Sequence, residues 1–379
     1  MSQNTSSDAL ISKRLWLTFG FMFIAAGCSD PAEVTVRSSK EVFVLEQNSV
    51  ITGRDGGQSG VLFGKSVWAY GDTVLESPDE AGTNWHHNSF SFTSDFDASD
   101  GIQGFSEPVD AAGAPHYLVP PTADEEEFNV AHRGDDCAEK PCNARFGAWP
   151  GRPIFDETNS RGIIPYGLIY AEPGDFNFHG VGYGFALWND FNAPPERPVV
   201  AKGTPHPTLL FREDEPNYGI SPVIRDGQFY AFSCEGDGFI KPCTLGRVPL
   251  DQLQERSAWT YWDGEAFTSD VDDADALFDG ADIMTVHFNE HLGRWTAIYS
   301  DPGTNDAVIR TAPEIWGPYS DTAVLFTGDR KTSEGWIYDM AEHPEFSEEN
   351  GRVLYVSFSR PTGEGWFNSE IAVARVELE

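Results

Sequence analysis

Short apolar runs separated by turn residues dominate the chain, and five of them look alike. They are Val67–Asp72, Gly167–Glu172, Gln228–Ser233, Arg294–Ser300 and Arg352–Ser359, each a strand-forming stretch that ends in a small or polar residue. Tyr70 and Tyr170 lie 100 residues apart, and the next steps, to Tyr230, Tyr299 and Tyr355, are 60, 69 and 56 residues. A repeat of fifty to sixty residues, long enough for four strands, is the signature of propeller blades. The pattern therefore predicts an all-β, five-bladed β-propeller of four-stranded antiparallel blades around a central funnel. Pro and Gly punctuate the intervals at Gly151–Pro153, Pro194-Pro195, Pro205–Pro207, Pro302-Gly303 and Pro361–Gly365. The long first step holds an acidic insertion, about residues 107–143. Helical periodicity is almost absent; Ser269–Phe278 reads as a short helix or an acidic loop.

The first 27 residues read as a signal peptide. Lys13 and Arg14 precede an apolar run, Leu15–Ala26, too short to span a bilayer. It ends in Ala25-Ala26-Gly27-Cys28, which resembles a bacterial lipobox with Ala where Leu is commonest. The expectation is cleavage before Cys28 and lipidation of that residue; an ordinary secretory signal is the alternative. Ser29, in place of Asp, points to the outer membrane of a Gram-negative bacterium. Residues 28–44 then read as a tether and 45–379 as the propeller domain. The net charge of −35, from 60 acidic and 25 basic residues, argues against nucleic acid as a partner and suits an exported, solvated monomer.

Four cysteines follow Cys28, and export favours disulfides. Three pairings are open. The local ones, Cys137–Cys142 and Cys234–Cys243, are favoured because each pair sits in loop-like sequence. Zinc is disfavoured, since neither pair has the Cys-x-x-Cys spacing.

Two carboxylates stand out, Asp55 in the Gly-rich stretch 53–60 and Asp72 at the end of the first repeated run, 17 residues later. A hairpin of Val61–Phe63 with Ser66–Tyr70, turning at Gly64-Lys65, would bring both to one end of a sheet. Two carboxylates in one cleft are what glycoside hydrolysis requires: one protonates the leaving oxygen, and the other attacks or activates water. The competing reading is two ordinary turn residues.

In a propeller, polar residues at strand starts should gather at the funnel mouth. Candidates for substrate contact are His86, His87, Asn88, Tyr166, His287, Asp339 and His343, with Ser221-Pro222, Asp282 and Thr285 opening blades in the same way. Asp339 is read as a third acid able to tune a partner. Glu290 is excluded, because its hairpin turn should lie at the far end. Trp85, Trp188, Trp336 and Trp366 are candidate sugar platforms, although most of the chain's 11 Trp should be core. No EF-hand pattern appears, so no cofactor or catalytic metal is expected; structural calcium is the one ion left open.

The segments GRDGG…VWAYGDT (53–73), WTYWDG (259–264), MTVHFNEHLGRWTAIYS (284–300), APEIWGPYS (312–320) and HPEFSEENGRVLYVSFSR (343–360) resemble the domain-of-unknown-function family 4185. That family is similar to five-bladed propeller glycoside hydrolases, and some members are classed as endo-acting D-arabinofuranosidases. The resemblance spans about residues 45–378 and places the family's first-blade acids on Asp55 and Asp72. It departs after Asp55, where Gly56-Gly57-Gln58 stands in place of an apolar or small residue. The implied function is cleavage of a furanose-containing polysaccharide. The alternatives are a non-catalytic carbohydrate-binding propeller at the cell surface and a structural or interaction lipoprotein.

Overall fold

The first strand, β1 (Val36–Val44), does not lead into the first blade; it pairs antiparallel with the last strand of the chain. The computed structural model describes residues 34–174, 176–236, 241–333, 335–363 and 368–379. All of these belong to one compact unit, Pro31–Glu379. Cys28 and the signal region lie outside the described residues. Residues 36–44, read as part of a tether, are thus the outer strand of a blade. The sequence lacks the repeated motif there because an outer strand has only one neighbour to match.

Blade 1 is β2 (Ile51–Leu62), β3 (Lys65–Leu75) and a broken third strand, β4 (Trp85–His86) with β5 (Ser89–Thr93). The insertion follows and holds the single α-helix among the described residues, α1 (Ala123–His132). Blade 2 is β6 (Arg145–Pro150) with β7 (Ile154–Asp156), then β8 (Arg161–Ala171), β9 (Phe178–Trp188) and β10 (Phe211–Arg212). Blade 3 is β11 (Ile220–Arg225), β12 (Gln228–Cys234), β13 (Lys241–Pro249) and the short β14 (Thr260–Trp262), β15 (Phe267–Thr268) and β16 (Phe278–Gly280). Blade 4 is β17 (Met284–Asn289), β18 (Arg294–Ser300), β19 (Asp306–Ala312) and β20 (Ala323–Thr327). Blade 5 is β21 (Tyr338–Glu342), β22 (Val353–Pro361), β23 (Ser369–Leu378) and then β1, so the two ends of the chain close the ring. All pairings are antiparallel, giving a five-bladed β-propeller.

The five repeated runs turn out to be the second strand of each blade: β3, β8, β12, β18 and β22. These strands are hydrogen-bonded on both edges and packed on both faces, so they read as near-continuous apolar stretches. Apolar side chains fill the spaces between blades. One such layer holds Phe185, Phe211, Tyr218, Phe229 and Trp259, all at most 1 % exposed, each worth about 1.5–3 kcal/mol of burial.

The β2–β3 hairpin turns at Phe63-Gly64, both at positive φ, one residue before the expected position. Both disulfides are the local ones, Cys137–Cys142 and Cys234–Cys243. The helix lies in the insertion, not in 269–278, which carries only a 3-10 turn at Val271–Asp273. Its start is a capping box in which Thr122 accepts from the Glu125 amide and the Glu125 carboxylate accepts from the Thr122 amide.

Candidate active site

β2 bulges where it passes Asp55. The register with β3 slips between Arg54 and Gly56 and again between Gly56 and Gln58, and Gly56 and Gly57 both take positive φ. A side-chain-bearing residue adopts that conformation only with strain, so the Gly pair lets the strand fold on itself and turn Asp55 toward Asp72. Two hydrogen bonds hold the Asp55 carboxylate, one from the Asp72 backbone amide and one from Tyr338 Oη at 3.0 Å. Burial pushes its pKa well above the usual carboxylate range, and the negative charges of Asp339 and Asp72 push the same way.

Asp339 opens blade 5. It sits at φ 58, at a register slip in the β21–β22 pairing, and its Oδ2 accepts from the Gly56 amide at 3.0 Å. Burial raises its pKa to about 7, with Asp282 adding to the rise and the Gly56 hydrogen bond opposing it. Burial first, then the Asp55 and Asp339 charges, also hold the Tyr338 phenol protonated. Asp55 and Asp339 are acids whose surroundings push their pKa values upward, a recurrent property of functional sites.

Asp72 stands in different surroundings. One oxygen, Oδ1, accepts from Trp85 Nε1 (2.9 Å), Trp149 Nε1 (3.2 Å) and His87 Nδ1 (3.3 Å). The His87 tautomer follows from its other side: Arg145 Nε donates to His87 Nε2 at 3.0 Å, so the ring hydrogen is on Nδ1. The Arg145 guanidinium also lies 4.6 Å from the Trp85 ring centroid. Three donors on one oxygen fix the orientation of the carboxylate. The Asp72 side chain is 21 % exposed.

The structure thus brings together Asp55, Asp72, His87 and Asp339 from the sequence reading, along with Trp85. The other expected contact residues hold the fold instead. His86 is buried, bonded to Asp79 Oδ2 at 2.9 Å and stacked on Tyr117. Asn88 ties the insertion to blade 2 through Val119 and the Ala148 carbonyl. Tyr166 is fully buried and donates to Thr208. His287 Nε2 bonds Glu342 Oε2 at 2.7 Å. His343 is fully buried, stacked on Trp68 at 4.1 Å and bonded to Ser59 Oγ at 2.6 Å. Its burial, helped by the Arg152 charge, lowers its pKa to about 3.

These five were chosen for sitting in loops or at strand ends, but loops between blades are also where polar side chains must satisfy buried backbone groups. Trp188 is core, and Trp366 lies outside the described residues. The sequence reading missed Trp149, Arg145 and the aromatic loop Phe176–Phe178. Trp149 and Arg145 belong to β6, which carries no repeated motif.

Residues 201–363 match the family model described as Domain of unknown function (DUF4185), in agreement with the resemblance read from the sequence. The match runs from the end of blade 2 into blade 5 and does not include Asp55 or Asp72. No curated protein sequence matches the chain. Among solved structures, a Bacteroides ovatus protein provisionally described as a hydrolase is 14 % identical over 85 % of each chain, with a TM-score of 0.55. That similarity shows a shared fold. A β-xylosidase/α-arabinofuranosidase from a compost metagenome, solved with xylotriose, is 13 % identical over 89 % of this chain and 95 % of its own, TM-score 0.48. The α-L-arabinofuranosidase of Podospora anserina, solved with cellotriose, is 10 % identical over 90 % and 95 %, TM-score 0.43. Neither of these two is close enough to bear on the chemistry of this chain.

Proposed function

We propose that this protein is an exported glycoside hydrolase that cleaves a furanose-containing polysaccharide, with Asp55 as general acid and Asp72 as nucleophile or water-activating base. One observation carries the reading: a single hairpin holds two carboxylates in opposite environments. Asp55 is enclosed beside two other acids, and its burial and their charges raise its pKa. Asp72 has one oxygen fixed by three N–H donors and stands nearer to solvent. Separating the environments of paired carboxylates is how a glycosidase divides the acid and base roles.

In the first step, Asp55 gives its proton to the glycosidic oxygen as the bond to the sugar's anomeric carbon breaks. Asp72 either bonds to that carbon or takes a proton from the water that does. Burial first, with the neighbouring Asp339 and Asp72 carboxylates, raises the Asp55 pKa, which suits it to the acid role. The furanose assignment rests on the family resemblance of the sequence. The test is a digestion panel of arabinans, arabinogalactans and xylan with the parent protein, Asp55→Asn and Asp72→Asn. Oligosaccharide release by the parent alone, with all three equally folded, supports the reading. Binding without cleavage by the parent would make this a carbohydrate-binding propeller.

The lipid anchor on Cys28 is part of the same proposal. The Thr35 carbonyl accepts from the Glu379 amide, and the Glu379 carbonyl meets His291 in the β17–β18 turn, each at 3.0 Å. β1 therefore starts at the end of the ring that holds the β17–β18 turn. Cys28→Ala should release the protein from the membrane fraction.

A further inference from the structure

We propose that β6 of blade 2 is built to orient Asp72 of blade 1, with Arg145, Gly147 and Trp149 as positioning residues; this rests on the hydrolase reading above. The three alternate along one strand as Arg-x-Gly-x-Trp, so they occupy one face of it. Each serves the same carboxylate in its own way.

Trp149 acts directly, its Nε1 donating to Asp72 Oδ1 at 3.2 Å. Arg145 acts through His87. Its Nε donates to His87 Nε2 at 3.0 Å, and His87 Nδ1 donates to the same Asp72 oxygen at 3.3 Å. Without the guanidinium the ring hydrogen is free to move to Nε2, which turns a lone pair on Nδ1 toward the carboxylate. Gly147 acts by its size. A β-carbon there would fall on the His87 ring, against Cγ, Cδ2 and Nδ1, so even alanine displaces the imidazole from its place beside Asp72.

The strand that carries these residues is itself held. Ala148 is buried in the apolar layer between blades 1 and 2, and Phe146 packs against that layer. β6 is an edge strand of its sheet, yet its backbone is not left open. The Asn129 side chain of α1 accepts from the Phe146 amide at 2.7 Å and donates to the Phe146 carbonyl at 3.0 Å. Asn88, next to His87, donates to the Ala148 carbonyl at 2.9 Å. The insertion thereby clamps the strand that sets Asp72, and a site held by a fixed strand and a second layer of hydrogen bonds keeps its geometry.

The experiment measures kcat and KM for Trp149→Phe, Gly147→Ala, Arg145→Met, His87→Ala and the His87→Ala/Arg145→Met double variant in the full chain. The substrates are linear arabinan and nitrophenyl arabinofuranoside, with melting temperatures alongside. Each single change should lower kcat about 10- to 100-fold, the cost of a misplaced reacting group, with KM unchanged. The loss should be the same on both substrates, because Asp72 acts on both while only arabinan needs the acid. The double variant should lose less than the product of its two single losses, since Arg145 acts through the His87 ring. Parent-like kcat in folded Gly147→Ala and Arg145→Met proteins overturns this inference and leaves the hydrolase reading standing. Losses that multiply in the double variant, or that appear on arabinan alone, also overturn it. Nitrogen-15 NMR of the histidine-labelled parent adds a readout apart from activity: a His87 hydrogen on Nδ1 supports the inference, and one on Nε2 overturns it. A parent that cleaves neither substrate overturns both readings.

Discussion

Gly71 stands so close to Asp55 that a β-carbon built on it would lie 2.5 Å from the Asp55 Oδ1 atom. The residue before Asp72 in β3 must therefore be glycine for Asp55 to occupy its place. Gly71→Ala should displace the acid by a fraction of an ångström to an ångström and lower kcat/KM about 100-fold. The melting temperature should change little, because Gly71 is half-buried at the rim. Parent-like kcat/KM in a folded Gly71→Ala protein would mean that the position of the Asp55 carboxylate does not matter.

Asp339 gives the site a pH-dependent effect on stability. Its pKa of about 7 in the fold lies above the ordinary carboxylate value of about 4 in an unfolded chain. Between those values the native state holds a proton that the unfolded state has lost, so this group's contribution to stability falls as pH rises through the window. Asp339→Asn removes the effect, and its amide oxygen can still accept from the Gly56 amide. Thermal unfolding should show the variant more stable than the parent at pH 8 and equal to it at pH 4. Parallel curves at both pH values would contradict the assignment.

His343 separates structure from chemistry. It is enclosed between Trp68 and Ser59, and among the described residues no hydrogen bond or ring contact links it to Asp55, Asp72 or Asp339. His343→Ala should cost about 2–4 kcal/mol in urea unfolding, from the cavity and the lost hydrogen bond. The kcat of the folded fraction should stay within a factor of two or so of the parent, far from the ~100-fold loss that removal of a general acid or base causes. A large kcat loss at unchanged stability would return His343 to the site.

Arg360 fastens the ring. Fully buried on β22, it reaches Glu41 of β1 at 2.6 and 2.7 Å and Glu370 of β23 at 2.7 Å. Arg360→Met leaves two carboxylates facing each other without their cation. Removing one partner of a buried pair costs about 3–5 kcal/mol; with Glu41 and Glu370 partly exposed, the lower end is expected in urea unfolding. Stability equal to the parent would mean that β1 is held by its backbone ladder alone.

The sequence exposed the parts of this fold that repeat. Each second strand is apolar along its whole length because it is central, and counting those strands counts the blades. The first-blade acids were legible because a Gly-rich bulge and a strand end flank them. What escaped was non-periodic. β1 pairs with a strand more than 300 residues away, and no local pattern announces such a partner. Helix α1 went unread: a capping box at Thr122 and Glu125 starts it, but its ten residues are too polar to show an apolar stripe. His87 and His86 are adjacent in sequence, yet one meets Asp72 and the other Asp79. Alternation along an extended chain sends neighbours to opposite sides, and which side faces the cleft is decided by the blade, not by the dipeptide.

The central claim is the division of roles between Asp55 and Asp72, and the leaving group tests it most directly. A nitrophenyl leaving group departs without protonation, whereas a sugar leaving group needs the acid. Asp55→Asn should therefore lose about 1,000-fold in kcat/KM on polysaccharide but less than about tenfold on nitrophenyl arabinofuranoside. Asp72→Asn should lose activity on both. Equal losses of Asp55→Asn on the two substrates, or retained activity of Asp72→Asn on either, would contradict the account.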